Sequence, residues 1–276
     1  MHLSLGGRRY DLRSRALVMG ILNRTPDSFF DGGATFSFDA LLVRAEQLVH
    51  DGADILDVGG VKAGPGPEVG ESEELDRVVP VVDALHRRFE LPISVDTWRA
   101  SVARAAFAAG AVMGNDISGF ADPGYPRAAA DAGAAVVATH IRLAPRVPDP
   151  EPHYDDLVGE VEAFLLERAA RARACGIPAD RVVIDAGLDL GKTAEQSLEL
   201  LRASPRLAAG GYPLLLSASN KTFLGRTFDL AIDERAEASL AALAVGVSLG
   251  CRIVRVHDVA GARQACDVLG AVLDTP

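Results

Sequence analysis

Eight short apolar runs of this chain each end in side chains that are costly to bury. They close in turn on Asn23, on Asp57 ahead of Gly59–Gly60, on Asp96–Thr97, on Asn115–Asp116, on His140, on Asp185, on Ser219 with Lys221, and on Arg255 with His257. One Asp or Asn in such a place usually closes a turn on its own backbone. Eight in one chain point to a shared site. Asp96, Asn115 and Asp185 offer acceptors and an amide, which suits a flat heterocycle presenting N–H donors and ring acceptors. Lys221, Arg255 and His257 offer positive donors that hold phosphate or diphosphate without a glycine-rich loop. Asn23, backed by Asp27 and Asp31, offers oxygen ligands of the kind Mg²⁺ takes beside substrate phosphates. The matching reaction is departure of diphosphate, assisted by the metal and Arg255. For Asp57 and Asp116 a bridge between neighbouring strands is sufficient explanation.

The elements that must position these residues follow from the same runs. Ala16–Asn23, Ala53–Gly60, Pro92–Thr97, Ala111–Ser118, Ala134–His140, Val182–Gly187, Pro213–Ser219 and Arg252–Val259 read as strands, separated by amphipathic helical stretches such as Phe38–Asp51, Ser72–Arg88, Asp155–Cys175 and Asp233–Leu249. Eight βα units predict a closed (β/α)₈ barrel, whose strand ends meet at one mouth where catalytic residues of this fold sit. His2–Leu5, Gly6–Gly7 and Arg8–Leu12 predict a hairpin that closes the barrel bottom. Gly52, Gly110, Gly133 and Gly176 read as helix ends. The stretch Arg142–Tyr154 is proline-rich and aperiodic, a surface loop that either covers the site or only connects. A lone His is more often a structural hydrogen-bonding residue than a ligand contact, and His140 is read that way, with packing against the ligand as the alternative.

At 276 residues the chain has the length of one barrel, so residues 1–276 are expected to form a single domain. Aliphatics dominate a hydrophobic fraction of 49%, against only 5% aromatics, as buried parallel strands require. A net charge of −10 argues against a nucleic-acid surface. Cys175, Cys251 and Cys266 show no metal-binding spacing, and no uninterrupted apolar segment has the length of a membrane span. A cytoplasmic protein without membrane or nucleic-acid partners is expected. The helix at Asp233–Leu249 is apolar on more than one face, which fits either a partner copy or shelter by the C-terminal segment.

The stretch Met19–Gly33, with Asn23-Arg-Thr-Pro-Asp-Ser-Phe29 inside it, closely resembles the first signature of the dihydropteroate synthases. Asp57-Val-Gly-Gly60, Ser94-Val-Asp-Thr97, Asn115-Asp-Ile-Ser-Gly119, Asp185-Ala-Gly187 with Gly191-Lys192, Ser219-Asn-Lys221 and Arg255-Val-His-Asp258 continue the resemblance in order along the chain. It implies a usually dimeric (β/α)₈ barrel that joins 6-hydroxymethyl-7,8-dihydropterin diphosphate to para-aminobenzoate, with Mg²⁺ as cofactor. By that resemblance Asp96, Asn115, Asp185 and Lys221 hold the pterin, while Asn23, Arg255 and His257 hold diphosphate and metal. Asn23, Lys221, Arg255 and His257 form the catalytic set. Thr25, Pro26, Asp27, Phe29 and Asp31 belong to a closing loop, and Lys62, Pro65, Ser219 and Asn220 lie on the amine side.

Two stretches depart from the family pattern. Val61-Lys-Ala-Gly-Pro-Gly66 replaces Ser-Thr-Arg-Pro-Gly, so Lys62 provides a point charge in a loop that lacks the family's planar fork. Asn220 replaces an Arg. Both changes fall on the amine side. Besides the synthase reading, they leave open a pterin-binding paralogue without synthase activity and a transferase that uses another amine.

Overall fold

The structure is a computed structural model, and it describes residues 1–25, 37–64 and 66–274. It opens with the antiparallel hairpin β1 (His2–Leu5) and β2 (Arg8–Asp11), in which Leu3 faces Tyr10 and Leu5 faces Arg8. Gly6 and Gly7 both have positive φ, the backbone such a tight turn needs. Then come β3 (Leu17–Asn23), β4 (Ile55–Gly59), β5 (Ile93–Asp96), β6 (Met113–Asp116), β7 (Ala135–Thr139), β8 (Val182–Asp185), β9 (Leu214–Leu216) and β10 (Cys251–Val256). These eight pair in parallel and close into a barrel through β10 and β3. Seven of the eight barrel strands lie within the apolar runs expected for them, and β10 begins one residue earlier than expected, at Cys251.

Side chains alternate across each strand, and the two faces have separate cores. Inside the barrel Leu17, Met19, Ile55, Met113, Val137, Val183 and Ile253 pack with Leu3, Leu5 and Leu12 of the hairpin segment, which plugs the bottom as expected. Outside, Val18, Leu56, Val95, Val136, Ala138 and Val254 pack against the helices. Each such fully buried aliphatic side chain contributes roughly 1.5–3 kcal/mol relative to exposure.

The surrounding helices are α1 (Phe38–His50), α2 (Glu71–Arg88), α3 (Ala100–Ala108), α4 (Tyr125–Asp131), α5 (Leu157–Ala174), α6 (Ala194–Arg202), α7 (Ser204–Ala208), α8 (Thr222–Phe228), α9 (Ala236–Ser248) and α10 (Val259–Leu273). Their starts follow local chemistry. Thr193 and Gln196 form a reciprocal capping box at α6, and Asp156 and Asp258 cap α5 and α10. At α2 the start falls at Glu71, one residue before the expected Ser72, and its cap is Gly70 with no side-chain bond. Glu74 does not act as a solvated first-turn charge there. It is buried, accepting a 2.5 Å bond from Thr97 Oγ1 and pairing with Arg99, which ties α2 to the end of β5. Gly52, Gly110, Gly133 and Gly176, the four expected helix ends, all have positive φ.

Pro80 sits inside α2. Proline has no N–H, so the Asp76 carbonyl one turn back loses its helical donor. Arg24, just past the end of β3, supplies one: its guanidinium donates to the Asp76 and Arg77 carbonyls at 3.1 Å each. A helix defect thereby anchors the residue next to Asn23.

Candidate active site at the barrel mouth

The mouth is built from alternate residues at the strand ends. In β5, Ile93 and Val95 belong to the outer core, so Ser94 and Asp96 face inward; in β6, Met113 belongs to the inner core, so Asn115 faces inward too. Asp185 lies in register with Thr139, and Asp96 with both Gly59 and Asn115. Gly59 is itself a spatial requirement, because a Cβ there would lie 3.0 Å from Asn23 Oδ1.

Arg255 is the hub. Its Nε donates to Asp57 Oδ2 at 2.6 Å and its terminal nitrogen to Asp96 Oδ2 at 2.7 Å, while Asn115 Nδ2 reaches the same Asp57 oxygen at 3.2 Å. One cation thus serves two carboxylates. Burial, against the pull of Arg255 and with repulsion from Asp57, pushes the Asp96 carboxyl up to about 7. Burial works against the charged form of Arg255, but Asp57 and Asp96 outweigh it and raise its pKa. The bridge made by Asp57 is wider than expected. It does not link adjacent strands, since Asn115 on β6 and Arg255 on β10 each lie two strands from β4. Asp57 spans the barrel interior and fixes the posture of two site residues.

Asp116 closes its own turn instead of making the expected bridge to a neighbouring strand. It faces outward and accepts from the Ser118 backbone and hydroxyl at 2.7 and 2.6 Å and from Phe120 N at 3.0 Å, closing the turn after β6.

Across the mouth, burial raises the Asp185 carboxyl and lowers the Lys221 amine, each offset by the charge of the other. Asp185 accepts from Gly187 N at 2.8 Å, and Lys221 Nζ donates to the Leu188 carbonyl at 2.6 Å. At the rim Ser219 Oγ lies 2.9 Å from His257 Nδ1, and Arg44 donates to the His257 carbonyl at 2.7 Å. Asn23, Asp96, Asn115, Asp185, Lys221, Ser219, Arg255 and His257 therefore all stand at the C-terminal ends of the barrel strands or just beyond. Thr25 is buried beside them in sequence. Pro26, Asp27, Phe29, Asp31 and Pro65 lie outside the described residues.

The amine side differs in layout. Asn220 is left-handed (φ 57°), as Asn tolerates, and is tied to α9: its N–H donates to Ser239 Oγ at 2.9 Å and its Oδ1 accepts from that hydroxyl at 3.3 Å. Lys62 is half-buried on a loop that another segment holds. Arg146, from the Arg142–Tyr154 loop, donates its backbone N–H to Ala63 O at 3.1 Å and its guanidinium to Pro67 O at 2.5 Å. The same loop is braced by Arg142 on Asp149 at 2.5 Å and reaches Gly191 O through Tyr154 at 2.7 Å. It joins the loops on both sides of it.

Sequence reasoning missed two residues here. Lys192 is buried and donates to His140 Nδ1, Gly187 O and Leu190 O at 2.9, 2.9 and 3.0 Å. Burial lowers its pKa to about 7 and, with Lys192 nearby, lowers that of His140 to about 3, so His140 is a neutral acceptor. Its ring also packs edge-on against Phe164, which makes it the structural histidine that was favoured. The second missed residue is Thr139, which takes the inward position beside it. Strict alternation from Ala135 and Val137 was the available signal.

Mg²⁺ needs few protein oxygens when phosphates complete its shell. Among the described residues no three His, Cys, Asp or Glu side chains form a metal-holding group. Asn23 Oδ1, beside the side-chain-free Gly59, is an oxygen of the type that such an ion takes.

A model of the pterin binding enzymes matches residues 19–257. An inactive dihydropteroate synthase 2 of Mycobacterium leprae is 43% identical over 271 residues, covering 95% of this chain and 92% of that one. A dihydropteroate synthase of Synechocystis is 41% identical over 273 residues, 98% and 94% of the two chains. A solved dihydropteroate synthase of Xanthomonas albilineans in complex with 7,8-dihydropteroate superposes with a TM-score of 0.87 at 40% identity, covering all of both chains. With the barrel, the ordered mouth residues and this coverage in agreement, the chain belongs to the dihydropteroate synthase family of pterin-binding enzymes.

Proposed function

We propose that the chain is a dihydropteroate synthase-type transferase. It condenses 6-hydroxymethyl-7,8-dihydropterin diphosphate with para-aminobenzoate, releases diphosphate and acts in the cytoplasm in folate biosynthesis. The observation that carries this reading is the meeting of Asp96, Asn115, Asp185, Lys221 and Arg255, from five places in the chain, around one buried mouth. Asp96, Asn115 and Asp185 take the heterocycle, with Lys221 beside Asp185. Arg255 and His257 take the diphosphate, Arg255 exchanging part of its carboxylate pairing for phosphate oxygens. Asn23 would hold Mg²⁺, which when bound offsets charge developing on the departing diphosphate. The amine enters from the side of Lys62, Ser219 and Asn220. Incubating the pure chain with pterin diphosphate, para-aminobenzoate and Mg²⁺ is expected to yield dihydropteroate and diphosphate; absence of both products rejects the synthase reading.

A second reading, a pterin-binding paralogue without synthase activity, is favoured by two features of the amine side. The Asn220 side chain is bound to Ser239 on α9, and the 61–66 loop has no arginine of its own. Saturable pterin binding with no turnover selects this reading, whereas diphosphate release with another amine selects a different co-substrate.

We also propose that the chain forms a homodimer through a groove of about 720 Å³ on α6, α8 and α9, lined by Leu198, Leu201, Leu224, Ala241 and Val245. Val245 and Phe228 are about half exposed there, at 48% and 57%. A second copy presenting the same helices covers such a face by symmetry.

A further inference from the structure

A buried hydroxyl without a hydrogen-bond partner loses its water and gains nothing in exchange, unless a ligand completes it. Thr139 Oγ1 is such a group: the residue is 1% exposed and the oxygen has no partner. Its direction is set by β7. Ala135 and Val137 belong to the inner core and Val136 and Ala138 to the outer, so Thr139 faces the barrel interior while His140 turns out toward Phe164. It stands at the C-terminal end of its strand, in register with Asp185 on the adjacent strand. Asn115 and Asp185 are similarly buried, at 3% and 5% exposure.

We infer that Thr139 is a specificity-determining residue of this site, its hydroxyl hydrogen-bonding the edge of the bicyclic heterocycle that Asp185 recognises. The inference rests on the proposed function and deepens it. A hydroxyl both donates and accepts, so it complements a carboxylate that only accepts: beside Asp185 it can meet a ring nitrogen that offers a lone pair. A ligand N–H is served equally well by the hydroxyl oxygen. Among the described residues the other orphaned hydroxyls do not share this position. Tyr125 Oη is packed against Gly114 on the outer face of β6, and Ser94 lies one residue pair deeper than Asp96 on β5.

The test compares the wild-type chain with Thr139→Val, which keeps the shape and removes the hydroxyl, and Thr139→Ser, which keeps the hydroxyl. Calorimetric titration with 6-hydroxymethylpterin is expected to show binding weakened about 3- to 10-fold in Thr139→Val and held within about threefold in Thr139→Ser. Without ligand, Thr139→Val is expected to melt at or above the wild-type temperature, because it removes a polar group that lacked a partner. Equal pterin affinity in wild type and Thr139→Val overturns the inference and leaves the proposed function standing. No binding by the wild type overturns both. A lower melting temperature in ligand-free Thr139→Val also counts against it, since the hydroxyl would then have a partner within the protein.

Discussion

Arg255 carries one positive charge between two carboxylates, and that imbalance sets the character of the mouth. Asp57 is sealed off and Asp96 is raised to about 7 from 3.8, chiefly by burial. A carboxyl whose folded pKa is raised favours the folded state when protonated. Its unfavourable contribution is absent below about pH 4, accumulates between about 4 and 7, and is complete above 7. The ligand-free wild type is therefore expected to lose stability relative to Asp96→Asn as pH rises through that window. Urea denaturation of both chains at several pH values measures it, and parallel profiles would refute it. Diphosphate entering beside Arg255 meets a cation already paired, so the ligand must compete with Asp57 and Asp96. The types of these residues were legible in the sequence, as was their place at strand ends. The reach of Asp57 across two strands on either side was not, because pairing through the barrel interior leaves no local spacing to read. Lys192, quoted only as part of a motif, and Thr139 received no site role for related reasons: one is bonded to backbone carbonyls, and the other looks like an ordinary strand residue.

At the level of elements, the loops after β7 and β8 hold each other. Lys192 clasps His140 and the Gly187 and Leu190 carbonyls, and Gly187 has φ 65° with its α-carbon so close to His140 that an added Cβ would lie 1.9 Å from the His140 carbonyl oxygen. Only glycine meets both demands. Gly187→Ala is expected to destabilise the chain by about 3 kcal/mol or more, combining left-handed strain with a backbone clash. A denaturation midpoint within experimental error of wild type would disprove that. Strand positions were legible because each barrel strand is an apolar run bounded by glycine or polar residues. Helix starts were less so: the stretch expected from Ser72 begins at Glu71, where bonds from Glu74 to Thr97 and Arg99 fix that turn. The role of Pro80 appears only when Arg24 is brought beside it.

For the whole molecule, the hairpin plug below and the polar mouth above divide the barrel interior into a stabilising end and a chemical end. The sequence showed both, through Leu3 and Leu5 at one extreme and the eight polar endings at the other. What covers α9 was legible only as an excess of apolar residues. Ala241→Glu, placing a charge in the groove of α6, α8 and α9, is expected to yield monomers by light scattering where the wild type gives dimers; a wild-type monomer would dismiss that interface. The arrangement of the mouth itself is tested most directly by titrating 6-hydroxymethylpterin into the wild type and into Asp185→Ala by calorimetry. Saturable binding by the wild type and a loss of about tenfold or more in the variant is the predicted result, and equal affinity in the two chains, or no binding by either, contradicts the account.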